Sequence, residues 1–150
     1  MPMNNEELRD RINKRPTPTA ELLKMKVLEV DQDAGTTRLQ FDIGDGLCNP
    51  NGTVQGGIVA AMLDDAAAYA AVAFAKRRVF VPSLEMKISF FAAAKPGLLY
   101  ANGRCVKFGR KIAFTEADLE DGDGKLLARL SMTGAPVELE NPKLVEREAQ

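Results

Sequence analysis

The sequence predicts an α+β fold, in which one antiparallel sheet wraps around a single long central helix. Three observations carry that prediction. Residues 57–76 form one alanine-dense stretch in which Ile58, Met62, Leu63, Val72 and Phe74 are spread around a helical circumference. Two strand-like segments precede it, and four more follow at roughly even spacing. A lone helix that is apolar on nearly all sides needs burial nearly all round, and a sheet that curls around it supplies that burial.

The elements follow in order. Residues 4–15 read as a short amphipathic helix with Leu8 and Ile12 one turn apart, ended by Pro16-Thr17-Pro18. Segments 22–31 and 36–43 read as strands joined across Asp33-Ala34-Gly35. A turn-rich stretch from Gly44 to Gly52 leads into the long helix, which closes on Lys76-Arg77-Arg78, where cations complement the negative end of the dipole. Residues 80–92 then alternate Leu84, Met86, Ile88 and Phe90 with Glu85, Lys87 and Ser89. Strands at 98–107, 111–120 and 125–134 follow, separated by the Gly109-Arg110 turn and the Asp121-Gly122-Asp123-Gly124 hairpin turn. The chain divides into an N-terminal helical extension (1–20), one domain (21–137) and a charged tail (138–150), read as frayed or loosely helical. An unpaired sheet edge in such a fold invites a second subunit.

Composition narrows the function. A length of 150 residues is enough for one core, and 45% hydrophobic with 27% charged residues is ordinary for a soluble protein. A formal charge of -1, with no long basic stripe, argues against a nucleic-acid module. Cys48 and Cys105 lack CxxC spacing, which speaks against a disulfide scaffold or a zinc site and for a reducing compartment. The chain has no histidine, which removes His-based triads, most catalytic zinc sites and His-dependent dehydration. No metal and no cofactor are expected. The N-terminus carries no apolar signal core, and the long apolar stretch contains Asp64, Asp65 and Tyr69, so it reads as a core helix rather than a membrane span. A cytoplasmic location is the expectation.

Two features of residues 49–66 are physically odd. Gly56 and Gly57 open the helix although glycine is poor inside helices. First-turn N–H groups lack helical partners and carry partial positive charge, so glycine there lets a carbonyl oxygen approach as in an oxyanion hole. The bland alternative is a pair used for tight helix–sheet packing. Second, Asp64 and Asp65 sit mid-helix among alanines. Neighbouring helical positions differ by about 100°, so the two carboxylates face different ways, and desolvation of at least one would raise its pKa toward general-base range. The competing reading has both reach a polar interface. Asp64 also lies about 12 Å along the axis from Gly56, so the two can serve one reaction only if they come from different chains.

The motif N-x-x-G-x-V-[HQ]-G-G, here Asn49 to Gly57 and followed by an apolar helix carrying Asp, resembles the PaaI-like (phenylacetate-degradation type) hot-dog acyl-CoA thioesterases. The likeness continues through Val81 to Phe91 and Gly103 to Thr133, covering about residues 40–135. The resemblance implies hydrolysis of an acyl-CoA thioester by a homodimer or homotetramer, with CoA as part of the substrate. It implies that Asn49 places the thioester or the attacking water and that the Gly56 N–H polarises the carbonyl. It further implies that Asp64 acts as base or nucleophile from the partner subunit and that Ser83 supplies a hydroxyl nearby. Gln55 departs from the histidine found in many members, which leaves hydrogen bonding but no proton donor at that position. Gly57 joins the amide cradle, and Arg78, Arg110 and Lys111 are candidate contacts for CoA phosphates, with a solvated surface as the alternative. Phe90, Phe91, Phe108 and Phe114 are candidates for an apolar acyl pocket, with ordinary core as the alternative. A non-catalytic module that binds acyl-CoA or another apolar ligand is the rival functional reading.

Overall fold

The structure is a computed structural model that describes residues 3–139. Its elements are α1 (Asn5–Lys14), α2 (Pro18–Leu22), β1 (Lys26–Asp31), β2 (Thr36–Ile43) and the long helix α3 (Gly56–Ala75). There follow β3 (Val79–Phe80), β4 (Ser83–Phe90), β5 (Gly97–Phe108), β6 (Ala113–Glu120), β7 (Leu126–Gly134) and β8 (Val137–Glu138). Six strands form one antiparallel sheet in the order β1-β2-β5-β6-β7-β4, with α3 packed across it. Strand alternation puts Leu39, Phe41, Leu99, Leu119 and Leu130 on the helix side, where they meet Met62 and Leu63 with essentially no exposure.

Glycine at 103 is what lets the helix lie this close. A Cβ there would sit 2.0 Å from the Ala66 carbonyl oxygen, which accepts the Thr37 hydroxyl at 2.9 Å. Backbone against backbone at this point sets the depth of α3 in the sheet.

The two edges of the sheet are treated differently. On β1, the Asn13 side chain from α1 makes both hydrogen bonds to the Val27 backbone, donating to its oxygen at 2.9 Å and accepting from its nitrogen at 2.8 Å. The helical extension thus caps that edge. No described strand pairs with the outer side of β4.

Several expectations are corrected. The segment read as a strand from residue 22 starts as helix α2: Thr17 caps it by accepting from the Ala20 N–H at 3.2 Å, and Pro18 occupies its first turn, so the strand begins only at Lys26. The stretch 80–92 is interrupted at Pro82, which lacks an N–H; β3 pairs with β8 in a small second sheet, and only Ser83–Phe90 joins the main one. Glu138, read as the start of a tail, belongs to that small sheet; residues 140–150 lie outside the described residues. Finally, α3 is buried on one arc only. Val59, Met62, Leu63, Ala66, Ala67 and Ala70 face the sheet, whereas Gly57 is exposed and Ala61, Asp64, Asp65, Ala68 and Val72 are only partly buried.

Candidate active site

The entrance to α3 is held by its own loop. The Val54 N–H donates to Ala94 O at 2.8 Å, and the Gln55 N–H donates to Leu47 O at 3.0 Å. Gln55 caps the helix through its carbonyl, which accepts from the Ile58 and Val59 N–H groups; its side chain makes no capping bond and is exposed. The N–H groups of Gly56 and Gly57 find no acceptor among the described residues. They are free donors at the positive end of a 20-residue helix.

The glycine pair is not a packing device. A Cβ on Gly57 would meet nothing within 4 Å, and one on Gly56 would only touch the Phe90 ring at an ordinary 3.6 Å. Neither has the positive φ that requires glycine, in contrast to Gly52 in the preceding loop. Set beside Gly103, where packing excludes any side chain, these two glycines leave backbone amides bare toward open space.

Asn49 does line the cavity at this entrance, but its amide is already used. Its Nδ2 donates to Thr53 Oγ1 at 2.8 Å, and its Oδ1 accepts from the Asn51 and Thr53 N–H groups at 3.0 and 3.2 Å. In this state the side chain shapes the loop that presents the glycines. The cavity has a volume of about 350 Å³ and is walled by Val54, Val59, Phe90, Phe91, Ala94 and Leu127. Two of the four aromatic candidates belong to it. Phe108 instead packs in a tilted pair with Phe74, and Phe114 is exposed on strand β6, away from the cavity.

The carboxylates separate as their helical angles require. Asp64 turns toward β4 and accepts a hydrogen bond from the Ser83 hydroxyl at 2.5 Å. Asp65 turns away toward Tyr69, one turn on. Burial, reinforced by the neighbouring Asp64 charge, pushes the Asp65 carboxyl up to about 7. Burial and then the Asp65 charge push the Tyr69 phenol up to about 12, so it stays neutral. The desolvated carboxyl foreseen on this helix is therefore Asp65, while the one bonded to Ser83 is Asp64.

Within one chain the groups do not converge. Gly56 sits by Phe90, at the last residue of β4, and Asp64 sits by Ser83, at the first. The cations lie toward the Ser83 pole: Arg110 and Lys111 are exposed on the β5–β6 turn, and Arg78 is exposed just past the end of α3. Among the described residues no group of three Asp, Glu, Cys or His side chains gathers as a metal site.

The sequence profile of the thioesterase superfamily matches residues 51–128, which span the helix entrance, both carboxylates, three of the six main strands and the start of β7. The chain belongs to the thioesterase superfamily. A phenylacetic acid degradation-related protein from Ralstonia eutropha JMP134 has a solved structure that is 32% identical, covers 85% of this chain and 96% of that one, and superposes with a TM-score of 0.77. The PaaI protein of the phenylacetic acid degradation operon of E. coli, 15% identical, shares the fold with a TM-score of 0.76 over 86% of this chain and 91% of that one. A curated Saccharolobus solfataricus protein, SSO1253, whose name carries the word esterase, is 28% identical over 97 residues, or 65% of this chain. The match spans 64% of that relative's length. These likenesses place the chain with the PaaI-like, hot-dog members of the superfamily, and superfamily membership supports thioester hydrolysis as its general chemistry. The sequence reading missed three features of this thioesterase-superfamily site: the Phe90 ring over Gly56, the Thr53 clamp on Asn49, and the influence of the Asp65 charge on Tyr69. Only the last had a visible signal, its i, i+4 spacing.

Proposed function

We propose that this chain hydrolyses acyl-CoA thioesters to a free acid and CoA, working as a homodimer with two sites that straddle the subunit boundary. The observation that carries the reading is the pair of bare amides at Gly56 and Gly57, beside an apolar cavity and unexplained by packing. A thioester carbonyl placed there gains negative charge as it is attacked, and preorganised N–H donors stabilise that charge more than the ground state.

The open edge of β4 supports the dimer. Met86 and Phe90 on this strand are 42% and 56% exposed, although Met132 and Ala128 opposite them are buried, and Leu84, at the strand's register shift, is 59% exposed. If two β4 strands pair antiparallel about a two-fold axis, the Ser83 end of one lies beside the Phe90 end of the other. The partner's Asp64 then comes alongside Gly56, closing the gap of about 12 Å that separates the two within one chain. The same operation carries the partner's Arg110 and Lys111 toward the helix entrance, because Ser83, Gly134, Ala113 and Phe108 are in register across the sheet. Those cations, with Arg78 at the same pole, suit CoA phosphates.

In this reading Ser83 orients the Asp64 carboxylate. Asp64 either takes a proton from the attacking water or attacks the carbonyl itself; in both cases the oxyanion rests on the same amides and the thiol of CoA leaves. Gln55 lines the approach as a hydrogen-bonding amide, and Asn49 holds the loop that presents the glycines. The cavity of about 350 Å³, faced by Phe90 and Phe91, suits an aryl or medium-chain acyl group. The deciding experiment is release of free thiol across short, medium, long and aryl acyl-CoAs. Turnover that peaks with aryl or medium chains supports the proposal. Binding of acyl-CoA with no thiol released from any of them would leave a binding module in its place.

A further inference from the structure

A second apolar cleft is larger than the one at the glycines. It lies between α1 and the C-terminal half of α3, has a volume of about 690 Å³, and is separated from Gly56 by most of the roughly 30 Å length of the long helix. Leu8, Arg11, Ile12 and Arg15 recur at i, i+3, i+4 and i+7, so α1 turns one face into it. Tyr69, Val72 and Lys76 do the same from α3 and its cap. Its floor is apolar, and its rim carries five cations: Arg11, Arg15, Lys76, Arg77 and Arg78. No carboxylate of the described residues lines it.

That charge balance is unusual in a chain whose net charge is -1. The end of the helix dipole explains part of it, and two of the cations are neutralised: Lys76 pairs with Asp33, and Arg77 pairs with Glu138 at 2.9 Å. Arg11, Arg15 and Arg78 make no ion pair among the described residues. Three guanidinium groups therefore border this apolar cleft without an ion pair among the described residues, although Arg11 and Arg15 also share a neighbouring groove with Glu7 and Asp10. The volume lies within the ordinary range for a small-molecule site.

We infer that this cleft is a second ligand site, built for a single-chain aliphatic carboxylate whose tail lies along Leu8, Ile12, Tyr69 and Val72 and whose head meets Arg11, Arg15 and Arg78. A carboxylate accepts paired N–H donors from a guanidinium fork. Being a monoanion, it costs less to draw from water into an apolar cleft than a phosphate dianion does. The site shares one residue with the hydrolytic reading, Arg78, a candidate phosphate contact there, and none of its other lining residues takes part in it.

The test is calorimetric titration of the full chain with dodecanoate, dodecanol and dodecyl phosphate. The proteins compared are wild type, Arg11→Gln/Arg15→Gln, Val72→Asp and Asp64→Asn, each checked for folding by circular dichroism. The expected result is one dodecanoate per chain. Binding weakens at least tenfold in the double arginine variant and in Val72→Asp, stays unchanged in Asp64→Asn, and is at least tenfold tighter than that of dodecanol. Equal binding of dodecanol, indifference to the arginines, or loss of binding in Asp64→Asn would each overturn the assignment. Tighter binding of dodecyl phosphate would overturn the carboxylate head. Absence of dodecanoate binding to wild type, with the arginine changes shifting its elution volume instead, would make the cleft a contact between copies.

Discussion

The Ser83 hydroxyl donates to Asp64 Oδ1 at 2.5 Å, tying the first residue of β4 to the middle of the long helix. A carboxylate on a helix has rotamers to choose from, and this bond selects one that faces the open sheet edge. Ser83→Ala removes a hydrogen bond to a charged acceptor, a change of about 1.5–3 kcal/mol when the geometry depends on it. Thiol release is expected to fall about tenfold or more in kcat with KM little changed. Asp64→Asn, which removes the charge itself, is expected to fall by about 10²–10⁴. A Ser83→Ala protein with wild-type kcat would mean that the bond orients nothing.

The glycines divide into two physical classes, and substitution separates them. Gly103→Ala forces a methyl onto the Ala66 carbonyl, so it is expected to destabilise the fold by about 3 kcal/mol or more, read as a lower denaturation midpoint. Gly56→Ala meets only ordinary contact with Phe90, so its stability is expected to stay within about 1 kcal/mol of wild type. Its activity is expected to drop sharply, because the added methyl stands where the carbonyl oxygen must approach. If Gly56→Ala were unstable and Gly103→Ala were not, the two roles would be reversed.

Asp65 gives the protein a stability that depends on pH. Its folded carboxyl titrates near 7, well above the ordinary 3.8, because burial and Asp64 both oppose its charge. The native state therefore holds a proton that the unfolded chain has lost. Asp65 weighs least on stability below about pH 4 and costs progressively more as pH rises through 7. Asp65→Asn keeps the neutral shape and is expected to raise the melting temperature at pH 8 by an amount corresponding to about 1–4 kcal/mol, with a much smaller gain at pH 5. Equal gains at both pH values would place the effect in packing rather than in charge.

What the sequence made legible follows from how local each signal is. The long helix, the two strands before its entrance loop and the strands after it were readable because alanine density and two-residue alternation are properties of neighbouring residues. Helix α2 was lost to the apolar pair Leu22-Leu23, although Thr17-Pro18 carried a legible cap signal. The one-sided burial of α3 was not readable. Composition says that Ala61, Ala68 and Val72 are apolar but not whether this chain or another covers them. In the same way, the spacing of Gly56 and Asp64 was enough to show that the two stand apart within one chain, whereas the Asn13 cap on β1 that leaves β4 as the open edge depends on a contact between residues 14 positions apart.

That open edge leads to the most searching prediction. If β4 pairs with its symmetry mate, Met86→Glu places two charges against a strand packed on its own copy, and the protein is expected to elute as a monomer that retains its fold and has lost hydrolysis. Complementation goes further, because it asks where the halves of the site come from. Asp64→Asn and Gly56→Ala chains are each expected to be nearly inactive as homodimers. Unfolded together and refolded, about half of the dimers are mixed, and each mixed dimer holds one site with both defects and one with neither. Activity is expected to recover to about a quarter of the wild-type value. A site contained in one chain allows no such recovery, because every chain in the mixture carries a defect, so persistent inactivity in refolded, properly dimeric mixtures would return both groups to one subunit.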